Sequence, residues 1–178
     1  MAHGERSSTP EPKAPITDQP TSDRTVGDYI PLLFPVGAVL AGISQILLWN
    51  TPAVEAFLLA FLVIVVGLQG IWAFLGHYFR PDEIAAFIGW PSGNPFQREV
   101  AFANLAFGTL GLLCVWFRGG FWIATALGIS VFMLGAAFVH VKEIRETGNR
   151  SPGNAGPILW TDILTSLVLL VLLTLYVL

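Results

Sequence analysis

The sequence predicts an all-α membrane protein, a bundle of five transmembrane helices with a short interfacial helix between spans two and three. Of the 178 residues, 54% are hydrophobic and only 12% are charged, whereas soluble domains carry about 25% charged residues. The mean hydropathy is +0.67. Apolar runs of about 20 residues recur, the length that crosses a hydrocarbon core of ~30 Å as a helix. Helices are expected because strand edges cannot be exposed to lipid.

Polar interruptions and prolines set the predicted boundaries. Residues 1–27 combine Pro10, Pro12, Pro15 and Pro20 with Ser, Thr and mixed charges, a composition too polar to offset chain entropy by burial. We therefore predict a disordered cytoplasmic tail over residues 1–27 and a five-span transmembrane domain over residues 28–178. The spans cover about 28–49, 54–79, 97–117, 121–144 and 158–178.

The longest polar interruption lies between spans two and three. Pro81 ends the second span, and we predict that residues 81–88 form a short amphipathic helix at the interface, with Trp90 as an aromatic anchor. Span three carries Gly108 and Gly111, and span four carries Gly128 and Gly135. Small residues allow helices to approach closely in lipid, so we predict that spans three and four pack through them.

The basic residues predict the orientation. Five spans put the termini on opposite sides, and nearly all basic residues fall on the N-terminal side: Arg6, Lys13, Arg24, Arg80, Arg98, Lys142, Arg145 and Arg150, against Arg118 alone on the other. By the positive-inside rule the N-terminus and both long loops are cytoplasmic. We expect a multi-pass protein of the bacterial inner membrane with an extracytoplasmic C-terminus.

Each of the last four spans contributes polar groups near its cytoplasmic end. Ionisable groups inside spans are costly and usually face the bundle interior, so the sequence predicts a polar pocket at this end, formed by His77, Glu99, Asn104, His140 and Asp162.

Three functions fit this set. Two histidines with carboxylates are ligands that Zn, Fe or Mn accept, with His77, Glu99, His140 and Asp162 as candidates. The two histidines on different helices suit one haem or the head group of a quinone. Histidine beside carboxylates can also relay protons. The alternative is structural, because such groups also cap helices and hydrogen-bond neighbouring spans.

A family resemblance rests on three stretches of the sequence. They are residues 77–82, residues 88–105 and the later segments Pro152-Gly153-Asn154-Ala155-Gly156-Pro157 and Thr161-Asp162-Ile163-Leu164. Together they resemble a bacterial family of small membrane proteins of unknown function, over roughly residues 60 to 170.

The layout is also distantly similar to the DoxX-like superfamily of small helical membrane proteins. The shared order is a histidine at a span end, the segment Ala86-Phe87-Ile88-Gly89-Trp90-Pro91, a span opening with Glu99, and a later span ending in His140. Some DoxX-like members are associated with quinone-linked oxidation. This chain departs from the usual four spans and lacks a redox cysteine pair, since Cys114 is its one cysteine.

The leading hypothesis is an inner-membrane protein whose cytoplasm-facing pocket binds a small amphipathic ligand such as a quinone-like head group. A structural or accessory subunit without a ligand and a metal-binding membrane oxidoreductase are the alternatives, and whether the protein is an enzyme stays open among them. Membrane lipid is the expected environment, a homo-oligomer or a membrane complex is compatible with the pattern, and no basic run indicates nucleic acid.

Overall fold

The computed structural model describes residues 26–178, and this part of the chain is helical without strands. The predicted disordered tail, residues 1–27, lies outside the described residues except for Val26 and Gly27. These two open a 3₁₀ turn, Val26–Leu32, which contains Pro31 and leads into the first helix. Pro31 lies two residues before α1, and its ring removes one backbone N–H donor from the end of the 3₁₀ turn.

Seven helices follow the 3₁₀ turn in the described chain. In order they are α1 (Leu33–Trp49), α2 (Ala53–Phe79), α3 (Pro81–Ile88), α4 (Phe96–Leu113), α5 (Gly120–Thr147), α6 (Pro152–Ala155) and α7 (Pro157–Val177). Proline opens α3, α6 and α7, where its fixed φ favours a helical start.

Four of these helical segments are long and apolar enough to cross a membrane. They are Tyr29–Trp49, Ala53–Phe79, Gly120–Thr147 and Pro152–Val177, which match predicted spans one, two, four and five. The predicted third span corresponds to α4, which is not among the four because Gln97, Arg98 and Glu99 lie in its first turns. The structure thus supports a multi-pass membrane protein with four apolar spans.

Glycines bring α2 and α4 into close contact. A methyl group on Gly70 would lie 2.9 Å from the Cα of Gly108, and one on Gly111 would lie 2.5 Å from the backbone nitrogen of Gly67. Within α2, the segment Phe61–Leu68 is wound as a π-helix, a form in which one extra residue per turn shifts the side-chain register. The two helices therefore run antiparallel along each other with their backbones in contact.

The second major packing pair is α5 with α7. Trp122 of α5 and Tyr176 of α7 lie with ring centroids 5.4 Å apart, which pairs the start of α5 with the end of α7. The prediction that spans three and four pack through small residues holds only at Gly128, where a side chain would lie 3.2 Å from the Phe107 ring of α4. Gly108 and Gly111 contact α2 instead, and a side chain at Gly135 would meet no atom within 4 Å, because that face of α5 is turned outward.

Apolar and polar contacts separate to opposite ends of the bundle. The main hydrophobic cluster joins the first half of α2, the first half of α5 and the second half of α7, with Leu58, Leu62, Trp122 and Leu169 fully buried. The opposite end, where α2 and α5 finish and α4 and α7 begin, holds both histidines of the described chain. The short helices α3 and α6 contact each other at this end.

Candidate functional site at the histidine-bearing end

His140 sits in a buried hydrogen-bonded joint between α5 and α6. Its side chain is 6% exposed, and its Nδ1 lies 2.8 Å from Oδ1 of the fully buried Asn154. The amide nitrogen of Asn154 donates to the carbonyl oxygens of Asn149 at 2.9 Å and of His140 itself at 3.3 Å. One buried amide side chain thus ties the end of α5 to the loop and helix that follow it.

The loop after α3 covers the same histidine. The indole of Trp90 stacks on the imidazole of His140 with ring centroids 6.0 Å apart and an interplanar angle of 24°. Asn149 Nδ2 donates to the carbonyl of Ile88 at 2.9 Å. Gly89 has a φ of +80°, and a side chain there would lie 2.7 Å from Asn149 Oδ1. The two long loops are therefore fastened to each other over His140.

His77 has a comparable partner at the end of α2. Its Nδ1 lies 2.6 Å from Oε1 of Gln97, which is 7% exposed in the first turn of α4. This pair joins α2 to the helix packed along it. Just beyond, Arg80 donates to Glu83, and that hydrogen bond lowers the pKa of the exposed Glu83 carboxyl.

The other three predicted pocket residues have separate surroundings. Glu99 is exposed on α4. The side chain of Asn104 donates to the carbonyl of Val100 in its own helix at 2.9 Å. Asp162 is partly buried on α7, its backbone carbonyl accepts a 2.7 Å hydrogen bond from the Ser166 hydroxyl, and its carboxylate has no partner among residues 26–178.

The structure pairs each histidine with an amide, and no pair links a histidine to one of the predicted carboxylates in the described chain. In the same residues no group of three or more His, Cys, Asp or Glu side chains lies close enough to hold a metal ion. The five-residue pocket stays a prediction, and the described contacts concentrate on His140.

A shallow depression of about 190 Å³ lies near this end of the bundle. It is lined by Pro81, Asp82, Gly93, Asn94, Pro95 and Arg98. Asp82 accepts a 3.0 Å hydrogen bond from the backbone of Gly93, so its carboxylate holds the loop together. None of the five predicted pocket residues lines this depression.

The partners of the histidines were not predicted from the sequence. Gln97 and Asn154 carry no charge, and they lie in polar stretches that we interpreted as a span start and a loop. Trp90 was predicted to be an interfacial anchor, whereas it is half-buried against His140. The available signal was an amide residue in each segment that follows a histidine-ending span, since buried side-chain amides are nearly always hydrogen-bonded.

Two polar atoms deeper in the bundle are buried without a hydrogen bond. Among the described residues they are Oε1 of Gln69 on α2 and Oγ of Ser130 on α5. Ser130 precedes His140 by ten residues along α5, which corresponds to about 15 Å along the helix axis. Two polar atoms without hydrogen bonds thus lie in the bundle well away from His140.

Comparison with known proteins identifies one family. The model of DUF6790, a family of unknown function, matches residues 28–177. This match does not connect the chain to the DoxX-like superfamily. No curated protein and no solved structure shows significant similarity.

Proposed function

Because the chain belongs to the DUF6790 family, whose function is unknown, we propose a function from its own geometry. The protein is a five-span membrane protein of the bacterial inner membrane that binds a small amphipathic ligand, such as a quinone-like head group, at His140 on the cytoplasmic side. The observation that carries this proposal is the fixed but incompletely bonded imidazole of His140.

The proposed span beyond the four apolar ones is α4, the third span in chain order. It lies antiparallel along α2 through the Gly67, Gly70, Gly108 and Gly111 contacts, so it runs through the same depth as a helix that is long enough to cross. Trp90, which precedes α4, stacks on His140 near the end of α5. Crossing of the bilayer by both helices accounts for a chain that leaves this end before α4 and returns to it through α5.

The orientation follows from charge. Arg80, Arg98, Lys142, Arg145 and Arg150 lie at the end that holds the histidines, which is also where α1 begins. Arg118 at the other end is 3.3 Å from Glu55 and forms an ion pair with it. The positive-inside rule therefore favours a cytoplasmic location for the histidine-bearing end.

The imidazole of His140 has one nitrogen engaged and one available. Nδ1 is held by Asn154, while Nε2 has no hydrogen-bond partner in the part of the chain that the structure describes. In that part, the fully buried side-chain atoms without a hydrogen bond are Gln69 Oε1 and Ser130 Oγ. Nε2 of His140 is not one of them, so this nitrogen is partly accessible to a ligand. A histidine held in this way, stacked on an aromatic ring at membrane-interface depth, suits the polar head of an amphipathic molecule.

The test is the molecule that accompanies the purified protein. Wild type, His140→Ala and His77→Ala should be purified in mild detergent, and their extracted organic molecules should be measured by mass spectrometry beside a metal analysis. We expect one organic molecule in wild type and in His77→Ala that is lost in His140→Ala. Its absence from wild type, or its equal retention in all three, would contradict the proposal.

A structural or accessory subunit is the second candidate. The observation that favours it is that both histidines already bond to protein amides, which is enough to explain their burial. Under this function, both alanine variants lose stability to a similar degree and no small molecule is lost from either. A metal-binding oxidoreductase has less support, because residues 26–178 contain no cluster of metal-ligand side chains.

A further inference from the structure

The hydrogen bonds of Asn154 indicate which ring nitrogen of His140 carries the proton. An amide side chain has one accepting oxygen and one donating nitrogen. The nitrogen of Asn154 faces two backbone carbonyls, at 2.9 and 3.3 Å, which can only accept. The oxygen must therefore be the atom that faces His140 Nδ1 at 2.8 Å. If the oxygen and nitrogen of the amide were exchanged, the amide oxygen would face two backbone carbonyl oxygens, and no hydrogen bond could form.

An amide oxygen can only accept, so Nδ1 of His140 must carry a proton. In a neutral imidazole one nitrogen donates and the other accepts, which leaves a lone pair on Nε2. The stacked indole of Trp90 covers a face of the ring, whereas hydrogen bonds to Nε2 form in the ring plane. The free edge of His140 therefore offers an acceptor.

We propose that Asn154 is a positioning residue that fixes His140 as a hydrogen-bond acceptor, so that the site selects a head group bearing a hydroxyl, as in a quinol or phenol, over one bearing only carbonyls, as in a quinone. This inference rests on the proposed ligand site and specifies its ligand class. A hydroxyl completes the bond to Nε2, while a carbonyl would place two acceptors against each other.

His77 does not support the same deduction. Its Nδ1 meets Gln97 Oε1 at 2.6 Å, but the amide nitrogen of Gln97 has no partner among the described residues that would fix which end of the amide faces the ring. His77 therefore serves as the comparison histidine.

The first measurement is the tautomer. Two-bond ¹⁵N–¹H correlations of ¹⁵N-histidine-labelled protein, recorded near pH 8 where a free imidazole is neutral, should show His140 protonated at Nδ1. His140→Gln assigns the signal. Asn154→Ala should move the signal toward the Nε2-protonated form. If Asn154 only stabilised the fold, its removal would leave the tautomer of His140 unchanged. An Nε2-protonated wild type would overturn the inference.

The second measurement compares two probes of the same shape. A short-chain quinol, kept under reducing conditions, and the matching quinone are titrated into wild-type protein. The quinol should bind about tenfold more tightly, because the net contribution of one hydrogen bond changes affinity by up to about that factor.

The possible failures are distinguishable. Quinone binding at least as tight as quinol binding would overturn the selectivity and leave the ligand site standing. Binding of neither probe would overturn the selectivity together with the proposed function. The comparison of the two probes is made on wild type alone, so it decides even if Asn154→Ala does not fold.

Discussion

Asn154 has three hydrogen-bond partners and no exposed surface, so it concentrates the polar interactions of the histidine-bearing end in one side chain. Removing one partner of a buried hydrogen bond leaves the other unsatisfied, which costs more than the bond itself contributes. The joint should therefore be sensitive to the loss of this amide.

Asn154→Ala should lower the free energy of unfolding by about 1–3 kcal/mol, because a buried imidazole N–H and two carbonyls lose their partner. Unfolding in mixed micelles of mild and denaturing detergent measures this difference. The matched control is Asn94→Ala, which removes only an exposed cap to the backbone of Phe96. Equal losses of unfolding free energy in the two variants would show that the hydrogen bonds of Asn154 are not buried.

Gly89 and Gly93 separate backbone strain from steric conflict. Their φ values are +80° and +79°, but a side chain would meet Asn149 only at Gly89, while Gly93 has open space around it. Alanine at either position should lose about 1–2 kcal/mol through the left-handed conformation. Gly89→Ala should lose more, because the loops must also move apart. Similar melting temperatures for the two variants would mean that the loops are not fastened at Gly89.

At the residue scale, the sequence indicated both histidines but not their partners. An isolated polar residue shows where burial is costly, whereas its partner depends on how two loops fold over each other. Trp90 illustrates this limit, since its position at a span boundary fits an interfacial anchor as well as it fits a ring stacked on His140.

At the element scale, boundaries were predictable where proline or a change of polarity marks them. Span two was predicted at about 54–79, and α2 is Ala53–Phe79, between Pro52 and Pro81. The third span was predicted to reach residue 117, but α4 ends at Leu113. After it, the carbonyl of Cys114 accepts a 2.9 Å hydrogen bond from the indole of Trp122. That tertiary contact has no signal in the local sequence.

Helix pairing was less predictable than helix position. A glycine shows that its helix can approach another helix closely, but it does not show which helix that is.

The α2–α4 contact gives a direct test. Gly111→Val should lower the free energy of unfolding by about 1–3 kcal/mol through overpacking against Gly67. Gly135→Val makes the same substitution in a helix where there is open space. A loss at Gly135 as large as that at Gly111 would contradict the pairing.

At the scale of the whole molecule, four helical segments are apolar enough to cross a membrane, and α4 is not among them because its first turns are polar. Those same turns supply Gln97, the partner of His77. Gln97, one of the residues that weaken the hydropathy of α4, thus also holds α4 to α2.

Whether α4 crosses the membrane is the most direct test of the proposed architecture. The proposed site requires the loop before α4 and the loop after α5 to lie on the same side of the membrane. In a Cys114→Ala background, Ser92→Cys, Phe117→Cys and Glu146→Cys place single thiols at exposed positions before α4, after it and at the end of α5. A membrane-impermeant maleimide on intact cells should label only the thiol at position 117, and opening the membrane should expose the other two. Labelling at position 146 but not at position 117 in intact cells would show that α4 does not cross.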